Sequence, residues 1–240
     1  MTISAETLDG LKKFDTPTVC NVIELFAVRP RSTGYMDQSI QACFPKLPPM
    51  VGLALTTEFR ALSPPKSGDV YGSMDAQLEC IESMEAPAVI VFQDLDVPSA
   101  AATFGEVMCS TYKAFGAAGL ITSGTGRDLD QVDELNFPAF TAGTCCSHGA
   151  CHMLSVNVPV VVGGISIYPG DLLHGDCNGV TTIPLDVASE IPQACEEFMK
   201  AEAYVIDYMK AGSPTIAGLK EAREALMADV KVLGARLRRS

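Results

Sequence analysis

The spacing of apolar residues predicts alternating helices and strands as far as residue 142. Apolar positions at helical spacing follow Asp15-Thr16-Pro17, a typical helix start, and predict a helix over 15–28. Short continuous apolar runs, bounded by glycine, proline or polar residues, predict buried strands. The predicted strands are 51–58, 88–92, 119–122 and 139–142, and the other predicted helices are 73–85, 105–118 and 128–135. This alternation indicates an α/β fold.

The pattern changes after residue 155, where β-rich segments with short connections precede two long helices. Residues 156–167 predict a strand, a turn and a strand, 169–171 a turn, and 179–184 a last strand. The two helices are expected at about 186–211 and 215–237. The second helix carries apolar residues along one face, namely Ile216, Leu219, Ala222, Leu226, Val230 and Leu233.

Charge and cysteine content exclude several classes of protein. The chain has 17 Lys and Arg against 29 Asp and Glu, a formal charge of −12, which argues against a general nucleic-acid binder. No apolar run approaches the roughly 20 residues that span a bilayer. Residues 1–14 show no secretory signal, and nine cysteines, an odd number, are typical of reduced thiols. We therefore expect a cytoplasmic protein without a membrane segment.

A dense group of possible metal ligands lies between residues 145 and 152. It comprises Cys145, Cys146, His148, Cys151 and His152. Structural zinc sites usually combine two ligand pairs separated by a longer loop, and this run has no second pair, so zinc is disfavoured. The simpler interpretation is a loop with buried thiols and a polar histidine. One of these histidines reaching a substrate stays an open alternative.

Two other segments carry groups suited to anion and metal binding. Gly105-Glu106-Val107-Met108 begins a predicted helix, where free N–H groups attract anions. Arg127-Asp128 offers a guanidinium for a carboxylate beside a carboxylate for a hard metal. Both segments lie near strand ends, where α/β proteins bind ligands. On chemistry alone, an ion pair or helix cap explains Arg127-Asp128 more simply than a functional site does.

Taken together, several ordered motifs resemble a known family. Gly105-Glu106-Val107, followed after a spacer by Arg127-Asp128, is similar to the signature of the divalent-metal-dependent 4-hydroxy-4-methyl-2-oxoglutarate aldolases and the RraA-like proteins of the same family. Residues 163–171 resemble its Gly-Gly-Val-x-Val-x-Pro-Gly-Asp, and residues 176–184 its Asp-x-x-Gly-Val and following Val/Ile-Pro. The resemblance also includes residues 16–18 and 51–54, and covers about 15–211.

The resemblance implies a fold, a domain organisation and a reaction. The expected fold is an α/β sandwich of the β/β/α swivelling type with C-terminal helices. An RraA-like aldolase domain is expected over 1–212, and an amphipathic helical extension over 213–240. The aldolases cleave a 4-hydroxy-2-oxo acid to release pyruvate, and they also decarboxylate oxaloacetate. Both reactions need an electron sink. The chain has few lysines and none within a clear apolar strand, which disfavours a Schiff base and favours a divalent metal.

The resemblance implies a role for each residue that matches a family motif. Asp128 is the expected ligand of Mg²⁺ or Mn²⁺, and Arg127 is expected to bind the small 2-oxo acid and stabilise developing charge. The amides of Gly105, Glu106, Val107 and Met108 are expected to bind the C1 carboxylate, with the Glu106 side chain anchoring a metal-bound water. Family members form trimers or hexamers in which an acidic residue of a neighbouring subunit approaches the site. Glu202 is the candidate for that residue.

Three points remain open from the sequence. The general base at the 4-hydroxyl is a metal-ordered water, His148 or Asp176. The chain departs from the family where Asn21 replaces a frequent Asp, and where no Asn…His motif precedes Gly68-Asp69-Val70.

The rival function is a non-catalytic RraA-like regulatory protein that acts on a protein partner. Such a regulator needs no metal site, so the retained Arg127-Asp128 favours the enzyme.

Overall fold

Strands and helices alternate over residues 50–141, and a run of strands and two long helices follow. A computed structural model describes residues 3–67 and 70–238. The helices are α1 Ala5–Leu11, α2 Thr16–Phe26, α3 Val70–Ser83, α4 Glu106–Ala114, α5 Leu129–Glu134, α6 Ile191–Lys210 and α7 Ile216–Leu237. The strands are β1 Gln41–Ala42, β2 Met50–Arg60, β3 Ala88–Asp94, β4 Ala102–Phe104, β5 Gly119–Thr122, β6 Thr125–Gly126, β7 Ala139–Thr141, β8 Gly143–Thr144, β9 His152–Val156, β10 Val160–Val162, β11 Ile165–Ile167, β12 Leu172–Asp176 and β13 Gly179–Ile183.

The main sheet is parallel at its centre and antiparallel at its ends. Its strand order is β1-β7-β5-β3-β2-β12-β13, and β9 also pairs with β2. Strands β2, β3, β5 and β7 run parallel, whereas β12 is antiparallel to both β2 and β13. The parallel strands are apolar and buried on both faces, as the sequence runs suggested.

The two faces of the parallel strands are covered by different layers. Ile90 and Phe92 of β3 pack in a cluster that includes residues of α3, α4 and α5. Val89 and Val91 point to the opposite face, where the β10–β11 hairpin supplies Val160, Val162 and Ile167. Helices, sheet and hairpin thus form three layers, which confirms the predicted α/β architecture.

The remaining helices form a third cluster at the antiparallel end of the sheet. Residues of α1, α2 and α6 pack there against β12 and β13, and α7 adds Leu233 and Leu237. The predicted apolar face of α7 does not begin at Ile216, which is 79% exposed. The covered part of that face lies toward the carboxyl end of the helix, because only there does α7 reach the core.

Several boundaries and elements differ from the predictions. Strand β12 was not predicted, because its polar His174 and Asp176 suggest a loop; both are buried in the sheet. The strand, turn and strand predicted over 156–167 are confirmed as the β10–β11 hairpin, but the first strand begins at Val160, because β9 ends at Val156. The predicted helix 105–118 ends at Ala114, where the left-handed Gly116 follows. Helix α6 begins at Ile191 rather than near 186.

Two general features of the described residues concern the helices and the cysteines. Among the helices of the described residues, none combines the length and apolar character that crossing a bilayer requires. All nine cysteines are free thiols.

Candidate active site

A small parallel sheet, separate from the main one, brings the candidate residues together. It consists of β4, β6 and β8 in that order, and none of the three strands was predicted. Their carboxyl ends lie at one edge, where β4 leads into Gly105 and α4, and β6 leads into Arg127-Asp128 and α5. The third strand, β8, leads into the cysteine-rich loop 145–151. Three segments that are distant in the sequence therefore begin side by side.

Asp128 connects the first two segments. Its backbone is left-handed, at φ 55° and ψ 39°, and its side chain does not cap its own helix α5. Instead, Oδ2 of Asp128 accepts a hydrogen bond from the backbone amide of Glu106 at 3.1 Å. The conformation, uncommon for a residue other than glycine, turns the carboxylate toward the start of α4. The helix-cap interpretation is therefore wrong for α5.

Arg127 lies against the same carboxylate oxygen. Its backbone amide donates to the carbonyl of Phe104, and its Nε lies 3.7 Å from Oδ2 of Asp128. The side chains of Arg127 and Asp128 are 34% and 37% exposed. An ion pair this exposed contributes little to stability. Both charges are partly open to solvent, where an anion or a cation can reach them.

Gly105 makes the close approach of these groups possible. A Cβ at this position would lie 2.5 Å from Oδ2 of Asp128 and 3.0 Å from Nε of Arg127. Gly105 is also the N-cap of α4, without a side-chain cap, so the first-turn amides of this helix lack partners inside it. Since the Glu106 amide is already bonded to Asp128, the amides of Val107 and Met108 are the ones left for an anion.

A cavity of about 100 Å³ opens beside these groups. Its walls come from all three segments that follow the small sheet. They are formed by Ala102, Thr103, Phe104, Gly105, Val107, Met108, Arg127, His148 and Cys151. Four of the predicted site residues, Gly105, Val107, Met108 and Arg127, thus share one cavity.

The cysteine-rich run divides between the cavity and other places. His148 and Cys151 line the cavity, whereas Cys146 is exposed and does not. His152 is buried at the start of β9, with its Nδ1 donating to the carbonyl of Ala150. Burial raises the pKa of the Cys151 thiol, and nearby Arg127 only partly opposes this. The thiol is therefore neutral at physiological pH.

Glu202 and Asp176 lie elsewhere on the chain. Glu202 is on α6, whose main packing partners are α1, α2 and α7. Burial, with a smaller contribution from Asp15, raises the pKa of Glu202. Asp176 is buried, where it accepts hydrogen bonds from the amides of Thr16 and Asn178. Asp176 thus holds the start of α2 and a β-turn, and it does not line the cavity. Gly68 and Asp69 lie outside the described residues.

The residues present suit a divalent cation of the hard type. Within the described ranges, no three His, Cys, Asp or Glu side chains converge as a ready-made metal cage. Mg²⁺ commonly keeps several waters and takes only one or two carboxylates, so Asp128 suffices as the direct ligand. Gly105 has no Cβ, so the space directly beside Oδ2 of Asp128 stays free and this carboxylate is accessible.

Comparison with known proteins shows the family of this chain. Residues 16–182 match the family described as RraA-like, Aldolase/RraA. The chain belongs to this RraA-like family. A protein of Halalkalibacterium halodurans, provisionally named 4-hydroxy-4-methyl-2-oxoglutarate aldolase, is 34% identical over 119 residues, which are 49% of this chain and 54% of that protein. This RraA-like chain therefore spans about half the length of the curated relatives it matches.

Solved structures share the fold over most of the chain. An uncharacterised protein from Pseudomonas syringae pv. tomato is 25% identical, with a TM-score of 0.71, and the match covers 93% of this chain and 95% of that one. RraAS2 of Streptomyces coelicolor, described as an unusual member of the RNase ES inhibitor RraA protein family, is 25% identical with a TM-score of 0.65, covering 84% and 96%. These neighbours confirm the predicted RraA-like fold.

Proposed function

We propose that the chain is a divalent-metal-dependent lyase. It cleaves a 4-hydroxy-2-oxo acid by a retro-aldol reaction that releases pyruvate, and it decarboxylates oxaloacetate through the same enolate chemistry. The observation that carries this proposal is the meeting of Arg127, Asp128 and the first turn of α4 at the edge of the small sheet. The provisional name of the H. halodurans relative supports the same reaction class.

Each group has a role that its chemistry suits. A divalent cation held by Asp128 would supply Lewis-acid polarisation of the 2-oxo group. The amides of Val107 and Met108 bind the C1 carboxylate, helped by the positive end of α4. The Arg127 guanidinium, held in place beside Asp128, binds substrate oxygens and stabilises the negative charge that develops as the carbon–carbon bond breaks.

Local positive charge is needed because the whole molecule is acidic. The net charge of −12 repels an anionic 2-oxo acid at long range. Arg127, the start of α4 and a cation on Asp128 would offset this field locally, at the cavity and beside it. The acidic balance therefore favours a site for such a substrate where positive charge is concentrated, as it is around Arg127.

Self-association into a trimer or hexamer completes the proposed site with Glu202 of a neighbouring subunit. Met199 and Ile206, which are 50% and 46% exposed, lie three residues before and four residues after Glu202. This spacing places all three on one face of α6. An exposed apolar face around a carboxylate supports contact with a second copy of the chain.

The test is a coupled pyruvate-release assay on oxaloacetate and 4-hydroxy-4-methyl-2-oxoglutarate, with Mg²⁺, Mn²⁺ or EDTA. We expect turnover with either metal and its loss with EDTA, after the uncatalysed decarboxylation rate is subtracted. Turnover that is unchanged by EDTA would contradict the metal requirement. No turnover on either substrate would contradict the enzyme assignment and favour the regulatory alternative.

A further inference from the structure

The retro-aldol reaction requires a proton acceptor at the 4-hydroxyl, and the cavity wall contains one suitable group. Among the described residues that line the cavity, only Thr103, Arg127, His148 and Cys151 carry polar or ionisable side chains. Arg127 stays protonated and has no acceptor. The Cys151 thiol is neutral, and the Thr103 hydroxyl is buried and already accepts a hydrogen bond from Thr122. His148 is the remaining group.

Hydrogen bonding at Nδ1 leaves Nε2 of His148 available as a proton acceptor. Its Nδ1 lies 2.8 Å from the carbonyl oxygen of Gly149, and a carbonyl only accepts, so Nδ1 carries the proton. The Cys151 sulfur also lies near Nδ1, at 3.9 Å. In the neutral ring Nε2 is then the unprotonated nitrogen, and it has no hydrogen-bond partner within the described part of the chain.

The loop that carries His148 is anchored on both sides. On one side, the Cys145 amide donates to the Gly126 carbonyl at 3.0 Å, directly before Arg127. Around the histidine, the Ala102 amide donates to the Ser147 carbonyl at 2.7 Å, and the Ala150 amide donates to the Ala61 carbonyl at 2.9 Å. His148 is thus held by backbone bonds to the strands β4 and β6 that also position Gly105 and Arg127.

We propose that His148 is the catalytic base for the 4-hydroxyl group, an inference that rests on the proposed function. Nε2 takes the hydroxyl proton, and the O–H electron pair becomes the new C4=O bond. The C3–C4 bond breaks, and its electron pair becomes the C2=C3 bond of the pyruvate enolate. Return of the proton to C3 gives pyruvate, so the step needs no co-reactant. Decarboxylation of oxaloacetate has no 4-hydroxyl, and it does not need this base.

The difference between the two reactions provides the test. His148→Gln and His148→Ala should lower kcat for 4-hydroxy-4-methyl-2-oxoglutarate by about a hundredfold or more. Oxaloacetate decarboxylation should stay within about threefold of the unmodified chain, and added imidazole should restore part of the retro-aldol activity of His148→Ala. Cys146→Ser, an exposed change in the same loop, is the matched control and should leave both reactions unchanged.

Every other outcome contradicts either the role of His148 or the lyase function. Equal losses in both reactions would show that His148 supports the loop rather than the proton transfer. Full retro-aldol activity in His148→Gln would overturn the assignment of the base while leaving the lyase function intact. If the unmodified chain turns over neither substrate, the proposed function and the role of His148 fall together.

Discussion

The backbone amide of Glu106 donates a hydrogen bond to Oδ2 of Asp128, 22 residues further along the chain. This bond joins the start of α4 to the start of α5, because each helix follows a strand of the same small parallel sheet. A carboxylate bonded in this way is oriented before any ligand arrives. Such preorganisation is the feature that metal and oxyanion sites require.

Asp128→Asn is expected to abolish metal-dependent lyase activity without unfolding the protein. The amide oxygen of Asn still accepts the Glu106 N–H, but the negative charge that holds the cation is lost. Pyruvate release should fall by about a hundredfold or more. Binding of Mn²⁺, followed by calorimetry, should weaken in parallel.

Asp130→Asn is the matched control for this change. Asp130 lies in the first turn of α5, two residues after Asp128, and its side chain is exposed, whereas the Glu106 amide bonds to Asp128. It should keep both Mn²⁺ binding and activity. If Asp128→Asn binds Mn²⁺ as well as the unmodified chain does, the metal assignment is wrong.

Gly105→Ala should damage the site by steric conflict alone. The added Cβ would lie 2.5 Å from Oδ2 of Asp128, so the carboxylate must move away from the Glu106 amide. We expect kcat/KM to fall about 10- to 100-fold while the melting temperature changes little. Gly143→Ala in β8 is the control, since its nearest contact would be an ordinary 3.7 Å. Equal activity of the two variants would contradict this role of Gly105.

The main sheet could be predicted from the sequence, whereas the small sheet could not. Strands such as β3 and β5 are continuous apolar runs, and burial alone explains them. Strands β4, β6 and β8 are two or three residues long and lack such a run. Their pairing depends on tertiary packing, which local patterns do not encode.

The same limit applies to the site. The motif at Gly105 and Arg127-Asp128 predicts the site residues, and His148 is one of three candidates for the base, but nothing in the sequence places His148 beside them. The signal available was a polar histidine in a thiol-rich loop, which fits many surface loops equally well. Its position became clear only through β8, which sets that loop next to Arg127.

Activity is expected to return when two inactive variants are mixed. Asp128→Asn keeps Glu202, and Glu202→Gln keeps Asp128, so a site between subunits can recombine one intact residue from each chain. After unfolding and refolding together, an equal mixture should recover about a quarter of the unmodified activity. Each variant refolded alone is the control. No recovery, with both variants still assembling, would contradict a site shared between subunits.

The stability of the protein should decrease in mild acid because of His174. This fully buried imidazole donates from Nε2 to the Leu11 carbonyl, and its Nδ1 accepts from the Thr16 hydroxyl. Burial lowers the pKa of His174, so the folded state resists the proton that the unfolded chain accepts. The unfolding free energy should therefore be constant above about pH 6.5 and fall below it, by at most about 1.4 kcal/mol per pH unit.

Urea titrations between pH 7.5 and pH 5.5 test this dependence. His174→Gln should be less stable at pH 7.5 but should lose most of the slope. His148→Gln, which removes an exposed histidine, should keep the slope of the unmodified chain. Identical slopes in all three proteins would show that another group is responsible.

Helix α7 should contribute to the stability of the whole chain through its last turns only. Leu233 and Leu237 are 5% and 4% exposed in the cluster that holds α1, α2 and α6 together, while Met227 is 69% exposed. Leu233→Ala leaves a cavity in that cluster and should lower the free energy of unfolding by about 2–4 kcal/mol. Met227→Ala lies on the same helix and should change it by less than about 0.5 kcal/mol. Urea denaturation measures both, and a single transition that shifts only for Leu233→Ala would show that α7 unfolds together with the core. Equal, small effects of the two changes would instead mean that α7 is a detachable extension.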